Sequence, residues 1–328
     1  MTPELIAELI TAAEARLKGV VRRTPLLTSP FLDRIAGRPV HVKAECLQHT
    51  GSFKFRGGWS AVSALPEGTA GVIAYSSGNH AQGVALAARL RGLPAVIVMP
   101  ADAPKLKLAN TAALGAEVVP YDRQTEDRDA IGSRIAAERG LALIRPFDEP
   151  QVIAGQATCG IEIAEQAAEA GIGEADVLVC CGGGGLASGI ALALEARAPG
   201  LRVRPVEPEG YDDTCRSLAA GRILSNEGAP PSLCDAIVTP QPGALTFPIL
   251  QRLAGPGLAV SDADALRAMA EAFFRLKLVL EPGGAVALAA ALWHLEPGEG
   301  PVIAVATGGN VDAEIYRTAL AHNAAPAG

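Results

Sequence analysis

A lysine set among glycines, GSFKFRGG at 51–58, is the first place in this 328-residue chain where chemistry could sit. Ser52 is placed as an N-cap, which would put Lys54 in the first turn of a helix. A cation there is disfavoured by the helix dipole, so this ammonium should lose its proton more readily than a surface lysine. An amine that attacks a carbonyl needs that property. Three further stretches follow hydrophobic runs. SSGNHAQG at 76–83 offers hydroxyls, an amide and backbone N–H groups suited to a carboxylate. CCGGGGLASG at 180–189 presents successive N–H groups at a helix start, a nest for phosphate, without the GK[ST] of a nucleotide triphosphate loop. ATGGN at 306–310 supplies a neutral hydroxyl, Thr307, beside two glycines that admit a close neighbour. Taken singly, each has a plainer use as a helix cap, a tight turn or a solvated lysine.

The elements that must hold these residues follow from the hydrophobic pattern. Strand-like runs at 71–77, 94–100, AEVVPYD and LALIRPF alternate with helical stretches, the signature of a parallel α/β layer. The alternation resumes with strands at 175–181, 201–207 and 301–307. Two α/β lobes are expected, with open parallel sheets and a cleft between them. The small lobe spans 71–147 and the large one is assembled from 1–70 and 148–328. In such sheets ligands bind at the carboxyl ends of strands, where these motifs lie. A rival comes from the same glycines. Gly182, Gly184 and Ala187 fit GxGxxA, and Glu207 ends the next strand, as in a nicotinamide-dinucleotide oxidoreductase.

In combination, order and spacing, GSFKFRGG, SSGNHAQG, GGGGL and ATGGN resemble the fold-type II pyridoxal-phosphate enzymes, nearest the serine/threonine dehydratase and serine racemase group. The similarity runs from RRTPLL at 22–27 to TGGNVD at 307–312. The resemblance implies that Lys54 carries the cofactor covalently and then serves as base at the substrate Cα. It implies that Phe53 packs at the cofactor and Asn79 meets its 3-oxygen. Gly182, Gly183, Gly184, Gly185 and Leu186 would hold the phosphate, Thr307 would face the pyridine nitrogen, and Glu281 would lie near the ring. Ser76, Ser77, Gly78, Asn79 and His80 would bind the substrate carboxylate. A neutral Thr307 makes the cofactor a weaker electron sink than a carboxylate would, which suits expulsion of a β-leaving group. VEPEGYDD at 206–213 resembles the family's divalent-cation site, with Glu207, the Tyr211 carbonyl and Asp213 suited to Mg²⁺ or Ca²⁺.

The implied reaction is β-elimination from L-threonine or L-serine, giving a 2-oxo acid and ammonia. Two residues keep alternatives open. Ser77, in SSGNH, could act as a second acid/base and support racemisation, or merely cap a helix. Arg128 could meet the β-carboxylate of 3-hydroxyaspartate or form a surface ion pair. Phenylserine is a further substrate candidate, and a cofactor-binding protein without turnover is a third class. A short tail after TGGNVD leaves no room for a carboxy-terminal regulatory domain.

Bulk properties agree with a small-molecule enzyme. Net charge is −7 and acidic and basic residues are interspersed, so no nucleic-acid partner is expected. The amino terminus lacks a basic n-region and a continuous apolar stretch, and no run is long enough to span a membrane. Instead Leu5, Ile6, Leu9, Ile10, Ala13 and Leu17 recur at helical spacing after a Thr2 cap and Pro3, with Gly19 closing the helix. The six cysteines show no zinc spacing and read as buried reduced thiols in a cytoplasmic protein, expected as a homodimer.

Overall fold

A computed structural model describes residues 3–322, apart from Ser77, Pro104, Arg123, Ala229, Pro230, Pro297 and Glu299. The proposed Thr2 cap and Ser77 therefore lie outside the described residues. Two sheets organise the chain. The larger holds β1 (Leu26–Thr28), β2 (Val40–Lys43), β7 (Ala175–Cys180), β8 (Leu201–Pro208), β9 (Leu258–Val260) and β10 (Val302–Val305), in the order β1-β2-β10-β7-β8-β9. Only the edge strand β1 runs antiparallel, pairing Leu26 with Lys43. The smaller holds β3 (Val72–Tyr75), β4 (Ala95–Pro100), β5 (Glu117–Tyr121) and β6 (Ala142–Leu143), all parallel in the order β5-β4-β3-β6. Both ends of the chain feed the larger sheet, because β2 pairs with β10.

The strand lengths follow from burial on both faces. β4 and β10 are buried at every residue, as expected of central parallel strands covered by helices. LALIRPF forms much less strand than its composition suggests. β6 is an edge strand that pairs with β3 only at Ala142 and Leu143 before the chain turns toward the cleft. The amino-terminal helix Pro3–Leu17 packs Leu9, Ile10, Ala13 and Leu17 onto Ala154 and Trp59. All six cysteines are free, and Cys215 alone is not fully buried.

The helix Lys54–Ser63 lies between the two layers. Phe55, Ala61 and Val62 belong to the apolar core of the smaller sheet. Arg56, on the other side, is fully buried in an ionic cluster with Glu45, Glu162 and Lys43. Its guanidinium reaches both Glu45 oxygens and both Glu162 oxygens. Burial alone would raise the Glu45 carboxyl, but Arg56 beside it outweighs that and holds it below the usual carboxylate range. Two formal positive charges and two negative ones thus neutralise each other inside the core. Glycines set the spacing on the facing helix: a Cβ on Gly58 would lie 3.1 Å from the backbone of Gly83, and one on Gly83 would lie 3.1 Å from Lys54. The two helices therefore touch backbone to backbone. Replacing Arg56 with Ala strands the buried Glu45 carboxylate and leaves Glu162 with Lys43 alone, so Arg56→Ala should lose about 3–5 kcal/mol of unfolding free energy in urea titration.

Candidate active site

The four motifs meet in one cavity of about 350 Å³ between the sheets. Lys54 opens the helix Lys54–Ser63 as the pattern suggests, but Ser52 is not its cap. Ser52 is extended and bridges to Gly308, its hydroxyl is buried without a partner, and Phe53 takes the cap position with helical angles. The lysine loop is instead held by the chain after β10. Phe53 N–H donates to Thr307 O at 3.1 Å, and Gly309 N–H donates to Gly51 O at 2.9 Å. The Asn310 side chain donates to Thr50 O and to Asn79 Oδ1, which ties in the SSGNH stretch as well.

Asn79 begins the helix Asn79–Arg91, and its amide donates to Glu281 Oε1. Gly308 makes that contact possible, because a Cβ there would collide with the Glu281 carboxylate. His80 is buried and donates from Nε2 to Ile144 O, so what it can offer an anion is its backbone N–H in the first helical turn. Burial, with Lys54 nearby, pushes its imidazole down to about 3, and the ring is neutral. Ser76 and Gly78 line the same wall, where Gly78 N–H donates to the Ser76 hydroxyl.

Opposite them, the glycine tetrad leads from β7 into the helix Gly185–Arg197, whose first turn carries Leu186. Gly184 sits at φ +88°, a left-handed conformation that favours glycine. A Cβ on Gly183 would penetrate the Phe147 ring at 2.3 Å. Thr246 locks the turn by donating its hydroxyl to Gly183 O, while Asp148 accepts from the amides of Ala244, Leu245 and Thr246. The result is a row of N–H groups at a helix start with no side chains in the way, fitted to a phosphate.

Between these walls stands Lys54, its ammonium 2.9 Å from Pro146 O and 5.2 Å from the Phe53 ring centre. Burial lowers its pKa to about 8, against the opposing pull of Glu281. Burial likewise raises the Glu281 carboxyl to about 7, opposed chiefly by Lys107. Glu281 Oε2 and the Tyr75 hydroxyl are buried without partners, and Thr307 is almost wholly enclosed. An amine of lowered basicity, a phosphate cradle, a neutral hydroxyl and unpartnered polar atoms together suit a flat, phosphorylated aldehyde. The residues fit pyridoxal phosphate.

The chain matches the family model described as pyridoxal-phosphate dependent enzyme over residues 17–308. It belongs to that family. An L-threo-3-hydroxyaspartate ammonia-lyase from Pseudomonas is 45% identical over 317 residues, covering 95% of this chain and 97% of that protein. The crystal structure of a threonine deaminase from T.th. superposes with TM-score 0.88 at 46% identity, covering 93% of this chain and 98% of the other. Maize serine racemase gives TM-score 0.88 at 35% identity, with 96% and 97% covered. The chain is thus a fold-type II pyridoxal-phosphate enzyme of the ammonia-lyase and racemase group. The dinucleotide alternative fails at Glu207. That side chain is fully buried and accepts from the Thr214 and Cys215 amides, so no ribose could reach it.

Arg128 opens the helix Arg128–Arg139 at the cavity rim, with its side chain 55% exposed and 3.6 Å from Asp129. That acidic neighbour is adjacent in sequence rather than one helical turn away. Lys107, Asp235, Tyr75, Pro146 and Phe147 also line the cavity and had no motif to announce them. Away from the cavity, burial raises Glu207 to about 8, with Asp213 adding to the effect, and burial raises Asp213 to about 6. Asp213 Oδ1 accepts from Asn226, while Oδ2 is buried without a partner. Tyr211 lies in the turn joining the two acids. Among the described residues no three His, Cys, Asp or Glu side chains gather for a metal.

Lys54 condenses with an aldehyde only as the free amine. A folded pKa below that of an ordinary lysine means the amine is free above about pH 8 and protonates as pH falls. Cofactor-free protein mixed with pyridoxal phosphate should therefore react at a rate that is flat above about pH 8 and falls about tenfold per unit below it. A rate still climbing toward the ordinary lysine pKa would contradict the depressed value. Stopped-flow absorbance follows the reaction, and Lys54→Ala should give no bound-cofactor band.

Proposed function

We propose that this chain is an ammonia-lyase that converts a β-hydroxy-L-amino acid, L-threonine or L-serine, to the 2-oxo acid and ammonium. The observation that carries this reading is the half-buried Lys54 of lowered basicity, flanked by the glycine cradle and the neutral Thr307 hydroxyl. When bound, pyridoxal phosphate supplies an electron sink conjugated to the substrate nitrogen, which acidifies the α-hydrogen. The chain's own residues do the rest. Gly182 to Leu186 anchor the phosphate through N–H groups, and Phe53 packs beside it. Asn79, fixed between Glu281 and Asn310, faces the cofactor's 3-oxygen. The Ser76–His80 corner binds the substrate carboxylate through backbone N–H groups. Lys54 takes the α-proton, and the β-hydroxyl leaves with a proton as water. The resulting enamine gains a proton at Cβ and water at Cα, and departs as 2-oxo acid and ammonium.

A second reading, a dicarboxylic substrate such as 3-hydroxyaspartate, draws on Arg128 at the cavity rim and on the hydroxyaspartate ammonia-lyase likeness. Racemisation would rest on Ser77. The reading also includes a cytosolic homodimer and two lobes, 71–147 and 1–70 with 148–328, closing on the cofactor. Among the described residues no helix is long and apolar enough to cross a membrane.

Release of 2-oxo acid from L-threonine, L-serine, D-serine, L-threo-3-hydroxyaspartate and phenylserine tests the assignment. L-Threonine or L-serine should give the highest kcat/KM, and Lys54→Ala should abolish turnover with every substrate. A preference for the dicarboxylate that disappears in Arg128→Ala would move the assignment to the second reading. We further propose that Glu207, the Tyr211 carbonyl and Asp213 bind Mg²⁺ or Ca²⁺, supported by the unpartnered Asp213 oxygen. Either ion at millimolar concentration should raise Tm by a few degrees, and Asp213→Asn should remove the gain; no shift in the parent protein would exclude the site.

A further inference from the structure

Among the described residues, Lys107 is the buried cation of the cavity to which the motifs give no task. It belongs to the helix Lys105–Ala113, which follows β4 in the smaller layer. Its side chain is only 10% exposed, and its ammonium lies 3.1 Å from Asp235 Oδ2. Asp235 stands on the other wall, in the stretch 231–245, whose Cys234 and Ile237 pack in the core of the larger sheet. That segment is a fixed post. Cys234 and Ile237 on either side are buried in the large core, and Asp262 accepts from Leu233 N–H and the Ser232 hydroxyl. The stem of Lys107 lies along Gly78, where a Cβ would meet its Cδ at 3.6 Å and its ammonium at 3.7 Å. The lysine stem thus lies beside the corner next to Asn79 while its charge is paired with Asp235.

We propose that Lys107 is a positioning residue, whose ion pair with Asp235 spans the cleft and fixes the Gly78–His80 corner over Lys54. Two polar ties then cross the cleft at this point, one from Asn79 to Glu281 and Asn310 and one, beside the corner, from Lys107 to Asp235. Asp235 is itself 53% exposed and Glu281 also feels the Lys107 charge, but a lysine only 10% exposed, with Lys54 in the same cavity, relies on its directly bonded carboxylate to hold its place. The inference rests on the cavity being the substrate site, and it predicts an effect on substrate affinity rather than on cofactor attachment.

The test uses the holoenzyme and the variants Lys107→Met, Asp235→Asn, their combination, and Lys107→Arg. With L-threonine, either single loss should raise KM roughly five-fold while kcat stays within about two-fold, the size of one good surface ion pair. The bound-cofactor band should be unchanged. Hydrogen exchange without substrate should speed up at Gly78–Gln82 in both single variants, Lys107→Arg should restore it, and the double variant should be no worse than the worse single one. Unchanged exchange, additive effects in the double variant, or a loss confined to kcat would each overturn the proposal. If L-threonine is not turned over at all, the functional reading fails, and the exchange measurements still decide whether the pair holds the corner.

Discussion

Everything at this site depends on one stretch of backbone, the turn that follows β10. Its residues bond on one side to the lysine loop, through Thr307 O to Phe53 and Gly309 N–H to Gly51. On the other side Gly308 O accepts from Glu281 N–H, while Asn310 reaches Asn79. Segments up to 260 residues apart in sequence are thereby fixed within hydrogen-bond distance. The constraint is steric as much as polar. Glu281 occupies the space that a side chain on Gly308 would need, and the Gly308 backbone fills the space that one on Gly284 would need. Backbone groups cannot be moved by rotamer change, so Lys54 inherits the rigidity of a central parallel strand.

That rigidity explains how the chain keeps a charged group where burial opposes it. Lys54 sits at the start of a helix whose dipole disfavours a cation, and in a cavity that excludes much of the water. Glu281 and the Pro146 carbonyl offset this only in part, so the amine gives up its proton near pH 8 rather than at an ordinary lysine's pH. Two residues away, Arg56 carries a charge that never titrates, fully buried yet surrounded by two carboxylates. The same short helix therefore holds one cation that is meant to lose its proton and one that is meant to keep it. The difference lies in the neighbours supplied by the helix Pro150–Glu169 and by Glu45, which reach Arg56 and not Lys54.

The helix bearing Lys54 is also the joint between the layers. Its apolar side belongs to the core of the smaller sheet, its ionic side to the larger part of the molecule. Close glycine contacts with the helix Asn79–Arg91 bring Asn79 within reach of Glu281. A bulkier pair at that crossing would separate the Gly78–His80 corner from the Lys54 amine.

Local sequence determined the parts whose physics is local. Glycine runs, strand-to-helix junctions and the lysine stretch could be read because each depends on backbone conformation within a few residues, and their shared order identified the family. The buried central strands were equally plain. Ser52 shows the limit: its type and position suit a cap, yet the pairing of Ser52 with Gly308 draws it into an extended conformation. Lys107 and Asp235 meet across 128 residues, Phe147 seats itself under Gly183, and Pro146 O accepts from the Lys54 ammonium. None of these has a local pattern, since a cavity wall is made by whichever residues two sheets bring face to face. The sequence alone determined what chemistry is present; the packing of the two layers decided which groups are enclosed, which are paired, and how strongly each holds its proton.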